Sequence, residues 1–431
     1  MGAAAVQACH ALGKPLHLAT RLFPAPCALI LATFLIDRVS PRRDHALLPA
    51  VAGLVACGLP ILFRLELADV GSPGTRQMWW LIVGAVALVA TYVLVRDVRR
   101  LARYKYVCGL GAALLIVVTM LWGHEVNGAR LWLGLPGILT FQPTELAKIL
   151  VCLFLAGYVA AKGDMLVARG PRFLGVSVPE MRYMAPLLAV VAFSLAMFVV
   201  QRDLGAAVLV FGVVIAMVYL ATGRKTYALL GVILFIGGGL AADHLFPHVH
   251  RRIGAWLDPW ADPSAGGWQI VQSLFCFAEG GVTGTGLGRG LPDPSQLPAA
   301  HTDLVVSVVG EELGLAGLVA LLLLAAMLVY AGLSIAWRSR DRFGALLAAA
   351  LSTTFALQAL VIVGGATKLI PLTGITFPFV SYGGTSVLAN CVSIGLLLCI
   401  SRDCNQPEAP GRRAPAGERR TVLEPTGAEP T

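Results

Sequence analysis

The feature that most constrains this chain is a series of continuous apolar runs, each about as long as a membrane-spanning helix. Hydrophobic residues make up 57% of the 431 residues, charged residues only 13%, and the mean hydropathy is +0.77. A soluble fold cannot hide that much apolar surface, so lipid is the solvent that this composition implies. Because the runs do not alternate with polar residues, they favour helices over a strand barrel. We therefore predict an all-α, polytopic membrane helical bundle.

The apolar runs predict eleven spans, of which the first is the shortest. Whether this first span crosses the membrane is left open. We expect the spans at roughly residues 22–36, 46–63, 79–95, 106–122, 146–161, 183–200, 204–221, 226–242, 304–336, 343–366 and 383–400.

Arginine and lysine recur in every second loop between these runs and give a net charge of +9. Basic loops stay on the cytoplasmic side, so we expect the C-terminus to be cytoplasmic. No basic patch carries interleaved aromatic residues, and we predict no nucleic-acid partner. The opposite, outer face then receives residues 64–78, 123–145, 201–203, 243–303 and 367–382.

Neither the cysteines nor the histidines have the spacing of a metal site. The nine cysteines lie mostly inside apolar runs, where they behave as small hydrophobic residues. The three histidines that follow Asp243, namely His244, His248 and His250, have no obvious fourth ligand, and their spacing matches no standard zinc pattern. We predict no metal site here.

Charged residues at the outer ends of the spans are the first candidates for chemistry. Glu145 and Lys148 follow Pro143 and lie three residues apart, which places them on one face of a helix. An ion pair entering a membrane is costly, so it marks either a site or a structural pair that fixes the helix. Arg130 precedes them in the same outer segment.

A second polar cluster, Gln201-Arg202-Asp203, lies between two spans with almost no loop. A tight polar turn explains it equally well, and both interpretations remain open.

The longest interruption of the apolar pattern is the segment Gly280–Gly314. We interpret its glycines as a mobile roof whose backbone approaches a substrate. Asp303 lies where this segment meets the next span and is a candidate base, unless it or Thr302 simply caps a helix. We expect Glu311 or Glu312 to face the bundle interior, with Lys148 or Arg130 as its partner.

Residues 368–384 contain two prolines and three glycines, which exclude a regular helix. Irregular backbone at this depth is tolerated only inside protein or beside a cavity. We expect this segment to line the same cavity as Asp303.

These motifs, taken in order, resemble the SEDS family, the RodA, FtsW and SpoVE proteins of bacterial cell-wall synthesis. The resemblance covers residues 46–401 and rests on GARLW, QPTELAK, QRDLG, WQIVQS with GGVTGTGLGRG, HTD with GEELG, and PLTGITFPFVSYGG. It implies about ten core helices with a large outer loop, residues 243–303, between the seventh and eighth. Residues 1–45 are then an N-terminal extension with an extra helix, and residues 402–431 a disordered cytoplasmic tail.

The resemblance implies peptidoglycan glycosyltransfer at the outer face of the bacterial cytoplasmic membrane. The substrate would be lipid II, an undecaprenyl-diphosphate-linked disaccharide pentapeptide, and the partner a class B penicillin-binding protein. It implies no cofactor and leaves dependence on divalent cations open. Asp303 matches the essential aspartate of the family. The residues expected to bind or orient substrate are Lys148, Glu145, Arg130, Arg202, Asp203, His301, Glu311 and Glu312.

One departure from the family pattern concerns Leu297-Pro298-Ala299, where many relatives have a glutamate at the third position. This resembles the RodA-like elongation branch of actinobacteria more than the division branch. A lipid II flippase and a non-catalytic scaffold for the penicillin-binding protein remain as alternatives. The candidate site residues cluster on the predicted outer face, which favours the enzyme, because a flippase also needs a site at the cytoplasmic face.

Overall fold

The computed structural model describes residues 24–39, 44–67, 72–126, 129–135, 139–167, 172–173, 176–177, 181–261, 267–290, 297 and 299–405. These residues form a helical bundle with two small antiparallel sheets. The helices are α1 (Pro24–Val39), α2 (Leu47–Leu67), α3 (Pro73–Leu94), α4 (Lys105–Trp122), α5 (Pro143–Val167), α6 (Met181–Val200), α7 (Leu204–Thr222), α8 (Lys225–Leu245), α9 (Pro247–Leu257), α10 (Trp268–Gly280), α11 (Val305–Glu312), α12 (Gly314–Arg338), α13 (Arg342–Ala366) and α14 (Gly384–Cys404).

Within the described residues, nine helical segments are long and apolar enough to cross a membrane. They comprise α2, α3, α4 with the 3₁₀ turn Val98–Tyr104 before it, α5, α7, α8, α12, α13 and α14. α6 has only a short apolar stretch, Ala185–Ala196, and α1 has 16 residues. These nine segments overlap nine of the eleven predicted spans, since apolar length is the property that a bilayer selects. The predicted spans 22–36 and 183–200 correspond to α1 and α6.

The most buried helices form the centre of the bundle. Buried residues account for 89% of the apolar window of α14, 78% of that of α5 and 72% of that of α2. α14 packs along α3, and α5 packs against α4, α7 and α13. α8 lies at the periphery, with none of its apolar window buried, and contacts only α7 and α9 strongly.

The predicted continuous span 304–336 is wrong, because two helices occupy it. α11 ends at Glu312, and α12 begins at Gly314, which has a positive φ of 68°. The glycine-rich segment makes the break possible by bonding to both helix ends. Thr285 and Gly286 donate backbone N–H groups to the carbonyls of Glu311 and Glu312.

The backbone N–H groups at the start of α12 also find hydrogen-bond acceptors in the glycine-rich segment. The N–H groups of Leu315 and Ala316 donate to the carbonyls of Gly281 and Val282, at 2.9 and 3.1 Å. Each helix end would otherwise leave backbone groups without partners. The glycines therefore hold the junction between α11 and α12, where the sequence had suggested a mobile roof approaching a substrate.

The predicted outer segment 123–145 contains strands that the all-α prediction did not include. β1 (His124–Val126), β2 (Ala129–Leu135) and β3 (Leu139–Phe141) pair in that order as an antiparallel sheet. The second sheet consists of β4 (Arg172–Phe173) and β5 (Val176–Ser177). Of the predicted tail, residues 402–404 continue α14, and residues 406–431 lie outside the described part, as does most of the predicted extension 1–45.

Candidate active site

Asp303 lies in a turn immediately before α11, and it does not cap that helix. The cap position belongs to Leu304, whose side chain makes no capping hydrogen bond. The turn closes on the carbonyl of Ala299, which accepts from the N–H groups of Thr302 at 3.0 Å and Leu304 at 3.2 Å. Ala299 has a positive φ of 57°, and the resulting turn directs the segment back toward the bundle. The capping interpretation of Thr302 and Asp303 is therefore excluded.

Gly374 lies beside both the Asp303 carboxylate and the guanidinium of Arg252. A Cβ atom added to Gly374 would lie 3.5 Å from Asp303 Oδ2 and 3.9 Å from Arg252 Nη1. Gly374 also has a φ of 78°, a conformation that favours glycine. Arg252 is anchored by a bond of 3.1 Å from Nη1 to the carbonyl of Leu372.

Arg252 is the functional candidate that the sequence analysis missed. It lies on α9, whose Trp256 one turn later donates to the carbonyl of Lys368 at 3.1 Å. The i, i+4 spacing of these two residues places both on the face of α9 that contacts residues 368–372. That spacing is visible in the sequence, but the apolar pattern does not say what this short helix packs against.

The environment of Asp303 favours its protonated form more than water does. Burial raises its pKa to about 6, although the charge of Arg252 and a hydrogen bond from Thr302 both oppose the rise. The carboxylate of Asp203 adds to it. A carboxylate with a pKa near neutrality is suited to accept a proton at the pH of the cell surface.

Asp203 links this carboxylate to the ion pair that the sequence predicted. Its Oδ1 caps α7 by accepting from the N–H of Ala206 at 2.9 Å. Burial raises the pKa of Asp203. The positive charges of Lys148 and Arg252 oppose this rise, and the negative charge of Glu145 adds to it. Asp203 is therefore within electrostatic reach of Glu145 and Lys148 on one side and Arg252 on the other.

Glu145 and Lys148 form the predicted pair on one face of α5. Lys148 Nζ donates to Glu145 Oε1 at 2.8 Å, and the two side chains are only 7% and 10% exposed. Five charged residues thus influence one another electrostatically and are here called the charged cluster: Glu145, Lys148, Asp203, Arg252 and Asp303.

The segment 371–383 is irregular, as predicted, and borders the same site. Tyr382 donates its N–H to the carbonyl of His301 at 2.7 Å, and the two rings lie 5.8 Å apart. Burial lowers the pKa of His301, which favours the neutral imidazole. His301 is therefore held two residues from Asp303, between the turn and the irregular segment.

Two predicted cations are not brought to Asp303. Arg130 lies on β2, more than half exposed, and pairs with Glu125 at 3.6 Å. Arg202 is exposed, has a φ of 65°, and affects His248 electrostatically.

Glu311 and Glu312 are both buried, as predicted, but the partner expected for Glu312 is wrong. Glu312 pairs with Arg64 of α2 at 2.6 Å. Lys148 pairs instead with Glu145 of α5, and Arg130 of β2 pairs with Glu125 of β1. Burial raises the pKa of Glu312 to about 7 against the charge of Arg64. These residues support α11 from its far end, about 12 Å along the helix from Asp303.

In the part of the chain that the structure describes, no group of three or more His, Cys, Asp or Glu side chains is arranged to hold a metal ion. His250 and Asp243, two members of the His-rich segment, bond to each other at 3.0 Å.

A family model described as the cell cycle proteins FtsW, RodA and SpoVE matches residues 46–406. Among curated proteins, the chain is 44% identical over 381 residues to the peptidoglycan glycosyltransferase RodA of Mycobacterium tuberculosis, covering 86% of this chain and 81% of the relative. It is 35% identical over 328 residues to the probable peptidoglycan glycosyltransferase FtsW of Geobacter metallireducens, covering 76% and 84%.

Solved structures show the same likeness. A chain from a peptidoglycan synthase complex, studied for the coordination of polymerization and crosslinking, superposes with a TM-score of 0.66 at 28% identity, over 85% of this chain and 99% of that one. The rod shape determining protein RodA of Thermus thermophilus superposes with a TM-score of 0.58 at 26% identity, over 85% and 98%.

Proposed function

We propose that this chain, which belongs to the family of FtsW, RodA and SpoVE cell cycle proteins, is a peptidoglycan glycosyltransferase and polymerises lipid II. The chain is a multi-pass membrane protein with an all-α bundle. The observation that carries the proposal is the charged cluster, in which a carboxylate with a raised pKa faces a guanidinium.

Asp303 acts as the general base in this proposal. The 4-hydroxyl of an acceptor GlcNAc must lose its proton as it attacks C1 of the donor MurNAc, and the lipid diphosphate leaves. The Asp303 carboxylate takes the proton as the new glycosidic bond forms. Gly374 leaves the carboxylate uncovered, since any side chain there would fill the space beside Oδ2.

Arg252 and Lys148 supply positive charge for the diphosphate as negative charge develops on it. Arg252 lies nearest the base, and its bond to Leu372 fixes its position. Lys148 is held by Glu145 at the bundle side of the cluster. Asp203, His301 and Glu145 orient these groups. Arg130 and Arg202 have a lesser role, in guiding substrate from the periphery, and Glu311 and Glu312 support α11.

In this proposal the site faces outside and the C-terminus is cytoplasmic. A class B penicillin-binding protein then cross-links the glycan product. The distribution of basic loops supports the orientation. The superposition on a chain of a peptidoglycan synthase complex supports a transpeptidase partner. The higher identity to RodA than to FtsW relatives supports a role in elongation.

The test is polymerisation of purified lipid II by the full chain in liposomes with its penicillin-binding protein partner. We expect Asp303→Asn to lower glycan formation about 10²- to 10⁴-fold, the usual contribution of a general base. The matched control is Glu279→Gln, which changes an exposed carboxylate of α10 and should keep wild-type activity.

Unchanged polymerisation by Asp303→Asn would remove Asp303 as the base. Translocation of lipid II across the bilayer that survives this substitution, without polymer, would instead favour the flippase. A chain that forms no polymer under any condition but still stimulates its partner would favour the scaffold.

A further inference from the structure

A cavity lies on the bundle side of the charged cluster, between α5, α13 and α14. The space not filled by protein atoms is about 300 Å³ when the open space at the mouth of the cavity is included. We call it the polar chamber, because six of the residues that line it have polar side chains: Glu145, Lys148, Thr354, Gln358, Asn390 and Ser393.

Two buried amide groups in the polar chamber have atoms that the described protein does not satisfy. Gln358 is 1% exposed and Asn390 is 5% exposed. Neither Gln358 Oε1 nor Asn390 Nδ2 has a hydrogen-bond partner among the described residues. Burying a polar group without a hydrogen bond costs several kilocalories per mole, so native proteins satisfy such groups with protein or with water.

The other polar groups of the chamber leave their acceptor capacity available. The hydroxyl of Thr354 donates to the carbonyl of Ala350 at 2.9 Å, and that of Ser393 donates to Ala389 at 3.0 Å. Each hydroxyl oxygen retains a lone pair for a further donor. The chamber therefore presents both donors and acceptors around one space.

The surrounding helices exclude the other plausible ligands. α5, α13 and α14 are all candidate membrane spans, and lipid chains offer no hydrogen bonds to the amides. A cation is disfavoured because the one carboxylate of the lining, Glu145, already binds the ammonium of Lys148. A neutral molecule that both donates and accepts, and is small enough for the space, is water.

We propose that the polar chamber is a buried water-binding site that hydrates the Glu145–Lys148 pair from within the bundle. Water there bonds to Gln358 Oε1 and Asn390 Nδ2 and solvates the ammonium. A hydrated ammonium exchanges one partner for another at lower cost than a dry one. If Lys148 serves the lipid diphosphate as proposed above, this hydration lets it leave Glu145 without becoming a bare buried charge.

The test is X-ray radiolytic labelling of the full chain in nanodiscs, read by mass spectrometry. Hydroxyl radicals form from water and react where they form, so side chains beside buried water are oxidised. Cys152 lines the chamber and is 3% exposed, whereas the equally buried Cys391 follows Asn390 but faces Gly84 of α3. We expect Cys152 to be labelled and Cys391 to stay at background.

Phe355 and Phe154 form a second matched pair. A smaller cavity with about 200 Å³ of empty space also touches Cys152, whereas Phe355 lines the polar chamber and not this smaller cavity. Phe154 is equally buried and stacks on Tyr158 of the same helix. Phe355 should be labelled and Phe154 should not.

Substitutions of Gln358 and Asn390 distinguish water binding in the polar chamber from a purely structural role of the two amides. The pair Gln358→Leu and Asn390→Leu fills the chamber with apolar groups, and labelling of Phe355 should fall to the level of Phe154. The pair Gln358→Ser and Asn390→Ser leaves polar space and should keep the labelling. Equal labelling of Phe355 and Phe154 in the unmodified chain would overturn the proposal, whatever the polymerase activity.

Discussion

Arg252 and Asp303 form the pair whose charges set the acidity of the candidate base. The pKa of Asp303 is raised to about 6 by burial, and the positive charge of Arg252 holds it below a still higher value. The base works only when it is deprotonated, so activity should rise with pH through about 6 and level off above it.

Arg252→Gln removes the charge that opposes this rise, so it should move the acidic limb of the pH–rate profile to higher pH and also lower the plateau. The measurement is lipid II polymerisation from pH 5 to pH 9. Arg251→Gln is the control, because Arg251 is the exposed neighbour on α9. An unchanged limb in Arg252→Gln would separate Arg252 from Asp303.

A substitution at Gly374 tests whether activity requires open space beside the Asp303 carboxylate. Gly374→Ala would place a methyl group about 3.5 Å from Asp303 Oδ2 at a φ of 78°. The left-handed conformation costs alanine about 1–2 kcal/mol, and the methyl group should lower turnover at saturating lipid II. Gly237→Ala is the control, because a Cβ atom there meets nothing within 4 Å. Full turnover in Gly374→Ala would contradict the open-carboxylate model.

The partner of a charged side chain could be predicted from the sequence where the two residues are close together in the chain. Glu145 and Lys148 are three residues apart on a helix, so their bond followed from helical geometry alone. Arg252 and Asp303 are separated by 51 positions along a loop with no apolar period, and only the packing of α9 on residues 368–372 brings them together.

The junction between α11 and α12 is the element that apolar length did not predict. Residues 304–336 are mostly apolar despite Glu311 and Glu312, so hydropathy alone predicts one span. The break requires backbone donors and acceptors from a segment more than twenty positions earlier in the chain, and the sequence contains that information only as glycines. The same glycines resemble a flexible loop until their hydrogen bonds are known.

The Arg64–Glu312 pair should anchor this junction to α2. Both side chains are almost fully buried, at 4% and 0% exposed. Removing one partner leaves an uncompensated charge, so Glu312→Ala should destabilise the chain by about 3–5 kcal/mol. Glu312→Ala combined with Arg64→Met should recover part of this loss, because no buried charge remains. Thermal unfolding in detergent, completed as a double-mutant cycle with Arg64→Met alone, measures the coupling.

Glu279→Ala, on exposed surface of α10, should leave the midpoint of that unfolding unchanged. Additive effects of Glu312→Ala and Arg64→Met would contradict a direct pairing. Loss of polymerisation in Glu312→Ala that returns in the double variant would show that the pair acts by holding α11, and with it Asp303.

At the scale of the whole molecule, the arginines at the ends of α12 and α14 lie at the opposite end of the bundle from the charged cluster. Arg402, at the end of α14, donates to the carbonyls of Val95 and Arg96, and Arg338, at the end of α12, pairs with Asp44. α12 begins at the junction that follows Asp303 and has 25 residues, so it extends about 38 Å. That length exceeds the hydrocarbon thickness of a bilayer, about 30 Å, and places its two ends on different sides.

In the orientation proposed above, which follows the positive-inside rule, these arginines face the cytoplasm and the charged cluster faces outside. In a chain whose nine native cysteines are replaced by alanine, we expect Glu125→Cys to react with a membrane-impermeant maleimide on intact spheroplasts. Arg340→Cys should react only after lysis. Both positions are exposed, so accessibility of the side chain is matched and only the side of the membrane differs. Labelling of Arg340→Cys on intact cells would reverse the orientation, and lipid II presented outside could then not reach Asp303.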